Sequence, residues 1–100
     1  MRSSKALHDA SVHREGVTLA FAGALSRDAV AALWAQALAQ VAGVTRFDLQ
    51  GVERVDSAGL ALLAELAARA GGDVTVDGTP AGLAELRAAY RLDPALGFAA

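Results

Sequence analysis

Phe47-Asp48-Leu49-Gln50-Gly51-Val52-Glu53-Arg54-Val55-Asp56-Ser57-Ala58-Gly59-Leu60-Ala61-Leu62-Leu63-Ala64-Glu65-Leu66 is the stretch that decides the fold. It reads as a buried strand, a turn at Gln50-Gly51, a polar pair at Asp56-Ser57, a glycine at Gly59, and a helix that is apolar almost all the way round. A helix without a polar face has to be buried on most sides, so the rest of a chain of 100 residues must wrap it. The polar pair falls where the chain enters that helix, where backbone N–H groups lack partners and the helix dipole is positive. A functional site is expected there first.

Outward from this stretch, Ser11 to Gly16 and Val17 to Phe21 carry the alternation of two short strands, with a turn at Glu15-Gly16 that makes them a hairpin. Gly23-Ala24-Leu25-Ser26 ends the second strand and offers Ser26 as a helix cap. Val30, Leu33, Trp34, Ala37, Leu38 and Val41 then recur on one face of a helix expected over Arg27 to Ala42, with Trp34 in the core and Gly43 closing it. Val44 to Leu49 is the next strand, Glu53-Arg54 falls on a connecting loop, and the second helix runs from about Ala58 to Ala70. Gly71-Gly72 breaks it. Val74 to Val76 is a fourth strand, Asp77-Gly78 a turn, and Thr79-Pro80 a helix start, with Leu83, Leu86 and Tyr90 marking the buried face.

Strands separated by helices imply crossovers and parallel pairing. The expected fold is α/β: a single domain over residues 1–100, with a small mixed β-sheet of about four strands and three to four helices packed against it. Residues 1–10 read as a loosely held lead-in and 91–100 as a C-terminal extension. Leu92 to Phe98 either docks on a partner or covers the sheet.

Composition narrows the function. The 54% hydrophobic content consists of 25 alanines, 14 leucines and 9 valines beside few aromatics, and no apolar run approaches a membrane span of roughly 20 residues. A net charge of -2 provides no basic field for nucleic acid. Without cysteine there is neither a disulfide framework nor a thiolate metal site, which suits the cytosol. Asp56-Ser57-Ala58-Gly59 is not a nucleophile elbow, because Val55 stands where that turn needs glycine. The two histidines, His8 and His13, have no spacing for a triad or a metal, and Lys5, the only lysine, follows no phosphate loop. No catalytic residue, cofactor site or metal site is therefore assigned. Ser57 reads as a helix cap, or as a hydroxyl held where an added phosphate would be stabilised. Asp56 reads as a cap or as a favourable charge on the dipole. Arg54 is an interface anchor or a solvated loop charge.

Phe47-Asp48-Leu49, then Val55-Asp56-Ser57-Ala58-Gly59-Leu60 and an alanine- and leucine-rich helix, resembles the signature of STAS domains, the fold of anti-sigma factor antagonists. Gly23-Ala24-Leu25-Ser26 resembles that family's Gly-Glu-Leu-Asp turn, with Ala24 and Ser26 in place of its acids. The likeness runs from about Val12 to Leu92. Within the family the chain is most similar to the small STAS subunits of phospholipid-transporting ABC complexes of Gram-negative bacteria. That likeness rests on its compact length, on Val55 to Leu63, and on Leu86 with Tyr90-Arg91-Leu92. The resemblance implies a non-catalytic cytoplasmic subunit, peripheral at the inner membrane through its partner, that binds the ABC ATPase subunit and supports assembly with the permease. Its partner-binding residues would be Ser57, Asp56, Arg54, Glu53, Ala58 and Gly59. The alternative it implies is an anti-sigma factor antagonist whose partner is an anti-sigma kinase and whose phosphosite is Ser57.

Overall fold

The computed structural model describes residues 10–93 and 96–97. The lead-in expected before Ala10 lies outside the described residues, as does Phe98. Strands β1 (Ser11–Glu15), β2 (Thr18–Leu25), β3 (Arg46–Val55) and β4 (Thr75–Asp77) alternate with helices α1 (Arg27–Leu38), α2 (Ser57–Arg69) and α3 (Leu83–Ala89). The sheet order is β1-β2-β3-β4, antiparallel between β1 and β2 and parallel thereafter. Hairpin first and crossovers afterwards is the expected α/β arrangement, with one mixed sheet and three helices among the described residues.

The core follows from the alternation of side chains along the strands. Leu19, Phe21 and Leu25 of β2 and Phe47, Leu49, Val52 and Val55 of β3 are buried on one side, where they meet Leu33 of α1 and Leu60, Leu63 and Leu66 of α2. Phe21 and Phe47 pack edge to face with ring centres 5.6 Å apart. Each such leucine or phenylalanine contributes about 1.5–3 kcal/mol on burial. Leu96 is also buried, so the chain after α3 returns to cover the core. Trp34, expected inside, is half-buried at the rim, with the Arg69 guanidinium 5.4 Å above its ring.

Several boundaries differ from the sequence reading, each for a physical reason. β2 continues through Gly23, Ala24 and Leu25 instead of ending there, with Gly23 at φ 84 beside a register shift. Gln50-Gly51 is not a turn: ten residues of β3 oppose eight of β2, and the two surplus residues are taken up as bulges at the Asp48/Gly51 and Val52/Arg54 steps. Glu53 and Arg54 consequently sit on the strand, not on a loop. Helix α1 stops at Leu38, short of Ala42, and Gly43 lies in the turn beyond it. There Arg14 gathers the free carbonyls, its Nη1 donating to Gln40 O at 2.8 Å and Ala42 O at 2.7 Å while Nε donates to Gly16 O at 2.7 Å.

Thr79-Pro80 does not start α3. Ala81 forms a bridge to Arg54 and accepts from Val55 N at 2.9 Å, which holds that segment extended until Gly82, at φ 90, admits the helix. Tyr90, expected on the buried face, is the C-terminal cap residue and is 50% exposed. Arg91 follows at φ 58, and Leu92 N donates back to Arg87 O at 2.9 Å. That closing turn is usually made by glycine. Because the left-handed region costs a non-glycine residue about 1 kcal/mol, Arg91→Gly is expected to raise stability by about 0.5–1 kcal/mol, offset in part by added freedom in the unfolded chain. A urea midpoint measured against the parent chain checks it.

Candidate functional site

The polar end of the domain is organised by one carboxylate. Asp56 has extended backbone (φ -100, ψ -175) and is the N-cap of α2, with Oδ1 accepting from Gly59 N at 2.9 Å. Its Oδ2 accepts from Arg27 N, the first amide of α1, at 3.0 Å. Ser26, the cap expected for α1, makes no side-chain cap bond, and Asp56 takes over that task from 29 residues away. The Gly59 amide, reinforced by the Arg27 and Ala58 amides and by the Arg27 charge, holds the Asp56 carboxyl below the usual carboxylate range against the opposing effect of burial.

Ser57 is therefore the first helical residue and not the cap. Its side chain is exposed, with no hydrogen bond among the described residues. Ala58 is half-buried beside it. Gly59 is buried: a Cβ there would lie 2.0 Å from Leu25 O, so its role is to let α2 approach the end of β2. Glu53 and Arg54 are exposed on β3, on the other side of Asp56 from Ser57.

These residues line two separate concavities. A groove of about 320 Å³ starts at Ser57 and Ala58 and runs along α2 past Leu60, Ala61 and Ala64, with Tyr90 and Leu92 as its far wall. A second depression shares Ala61 and Ala64 and continues it to Ala68, Gly72 and Leu96. Glu53 and Arg54 face instead a more polar cleft with Ala24, Ser26, Asp28 and Ala32. Of the six expected residues, Ser57 and Ala58 belong to the groove, Glu53 and Arg54 to the cleft, and Asp56 and Gly59 hold the helix starts between them. The walls at Ala61, Ala64 and Tyr90 escaped the sequence reading. Alanines on an apolar helix give no contrast to read, and Tyr90 has the spacing of a core position.

What this arrangement presents is an exposed hydroxyl at a helix start opening onto a mostly apolar groove. Among the described residues there is no cluster of three or more His, Cys, Asp or Glu that could hold a metal ion. Nor is any helix there long and apolar enough to cross a membrane.

A four-stranded mixed sheet carrying helices, with an Asp-Ser pair at the helix that follows the third strand, defines a small domain of the α/β class. Comparison makes the class specific. The family described as "Mlab, STAS domain" matches residues 5–97, and the chain belongs to it. Two curated relatives are the intermembrane phospholipid transport system binding proteins MlaB of Escherichia coli (strain K12) and of Shigella flexneri. Each is 44% identical over 66 residues, covering 63% of this chain and 68% of the relative.

Proposed function

We propose that this chain is a non-catalytic STAS subunit of a phospholipid-transporting ABC complex that serves outer-membrane lipid asymmetry. It would lie on the cytoplasmic side of the inner membrane, held there by its partner. Its docking surface is the Ser57 end of α2 with the groove that follows, its partner the ATPase subunit (MlaF-like), and its role to support assembly and activity of that ATPase with the permease (MlaE-like). The phospholipid transport named for the two relatives supports the setting.

The observation that carries the docking reading is the groove itself. Tyr90 stands half exposed on its wall, and α2 presents Ala61 and Ala64 on its floor. Small side chains let a partner backbone approach closely, and an exposed tyrosine offers a rigid, amphipathic contact of the kind enriched at binding hot spots. The Ser57 hydroxyl at the mouth is exposed, which is the observation that favours the second reading, an anti-sigma factor antagonist switched by phosphorylation of Ser57.

The test is affinity purification of the tagged chain from membranes of its own organism. An ABC ATPase and a permease are expected with the parent chain. Ala61→Arg should lower the recovered ATPase more than about tenfold, equivalent to about 1.4 kcal/mol of binding. Ala31→Arg, exposed on α1, should leave recovery unchanged. A soluble kinase in place of the ATPase would transfer the chain to the sigma-factor circuit. Equal recovery with Ala61→Arg would remove the groove from the interface.

A further inference from the structure

Asp56 is the only described side chain that joins the starts of two helices, and the two bonds it makes differ in kind. The bond to Gly59 N is local, three residues along the same chain segment, and belongs to the cap of α2. The bond to Arg27 N crosses from one element to another. Arg27 N is a first-turn amide, which no carbonyl of its own helix can satisfy. The Ser26 side chain does not supply the missing acceptor. The hold on the start of α1 therefore depends on a carboxylate that neighbours Ser57, the exposed residue at the mouth of the groove.

We propose that Asp56 couples the groove end of α2 to α1: a negative charge introduced at Ser57 is relayed through the shared carboxylate and loosens the first turn of α1. The proposal rests on the docking reading of the Ser57 end only for its biological use. An anion at Ser57 stands at the first helical position of α2, where the dipole favours it. Helix α2 keeps its start. The same anion stands next to Asp56 and repels its carboxylate, while competing for the positive end of α2 that helps to hold it. The local bond to Gly59 is retained by chain geometry, and the bond across to Arg27 is the one that gives. Because Ser26, at the start of α1, and Asp28 within it stand on the wall of the polar cleft shared with Arg54, the charge state of the groove mouth is then felt at a second surface. In this way a phosphate on Ser57, or a partner carboxylate set against it, would alter both sides of the polar end at once.

Amide hydrogen exchange read residue by residue on the isolated chain tests this without any partner, so its failure is distinct from failure of the docking reading. Ser57→Asp is compared with Ser57→Ala, and Ser57→Glu serves as a second anionic variant at this exposed position. The Arg27 amide is expected to exchange at least about threefold faster in the anionic variants, the effect of one unit charge about 6 Å away in a watery setting. The Leu33 and Ala37 amides within α1, and the Gly59 amide, should be unaffected. In the Asp56→Asn background the response of the Arg27 amide to the charge at position 57 should vanish. Equal Arg27 exchange in Ser57→Ala and Ser57→Asp would overturn the proposal. So would acceleration of all amides alike, or a response that persists with Asp56→Asn.

Discussion

Gly59→Ala should destabilise the domain by about 3–5 kcal/mol, although the same change at an ordinary helical position is worth about 1 kcal/mol in the stabilising direction. The sign is reversed by contact. An added Cβ would lie 2.0 Å from Leu25 O, 2.8 Å from Leu25 C and 2.9 Å from Leu25 Cβ, and two of these are backbone atoms that cannot rotate away. Helix α2 would have to move off the end of β2. Such a shift would strain the backbone bond from Asp56 N to Leu25 O, 3.2 Å long, and the Asp56 bond to Arg27 N with it. Overpacking of a tight core site costs about 1–3 kcal/mol by itself, and the loosened helix start brings the total higher. A urea midpoint well below that of the parent chain is the expected outcome. A midpoint equal to or above it would mean that α2 can withdraw from β2 freely.

Asp56→Ala should cost about 2–3 kcal/mol at neutral pH, because it removes two cap bonds, each worth about 1 kcal/mol, from two different helices. A single-cap residue would lose half as much. The effect is pH-dependent, with a definite sign. The folded-state pKa of Asp56 is lowered, so its contribution is present above the unfolded-state value near about 3.9 and is lost as pH falls through the folded-state value. Urea midpoints of the parent chain and Asp56→Asn should therefore differ most at neutral pH and converge below about pH 4. Asn has one acceptor oxygen for two amides and no charge to titrate. A gap that stays constant from pH 7 to pH 3 would show that the carboxylate's charge is not what holds the two helix starts.

Both predictions concern the same few residues, and both tie stability to the presentation of the groove. Gly59 sets how close α2 lies to β2, and Asp56 sets how α1 and α2 begin. Ser57, Ala61 and Ala64 are displayed where they are because those two residues hold the helix under them. Variants that weaken docking through Gly59 or Asp56 should also lower the unfolding midpoint, whereas Ala61→Arg should act on docking alone.

Much of the polar end was legible in the sequence. Asp-Ser-Ala-Gly between a strand and an apolar helix marks a helix start, and the likeness to STAS domains attached a functional expectation to it. The roles inside the motif were not legible. A cap is defined by which side-chain oxygen meets which amide, and either Asp56 or Ser57 satisfies the pattern until the backbone is in place. The partner on α1 was still further from reach, since a bond across 29 residues leaves no local spacing.

Periodicity by itself determined the order of elements, the hairpin, the three described helices and the identity of the main core leucines and valines, because helical and strand spacings are local properties of the chain. Tertiary structure decided the rest. β3 runs through Gln50-Gly51 because pairing with β2 absorbs two surplus residues as bulges. α1 stops at Leu38, and Arg14 from β1 binds the carbonyls beyond it. α3 waits for Gly82 because Ala81 is held against β3. Tyr90 turns outward as that short helix closes. In the first three cases a contact between residues far apart in sequence outweighed a local preference worth about 1 kcal/mol or less.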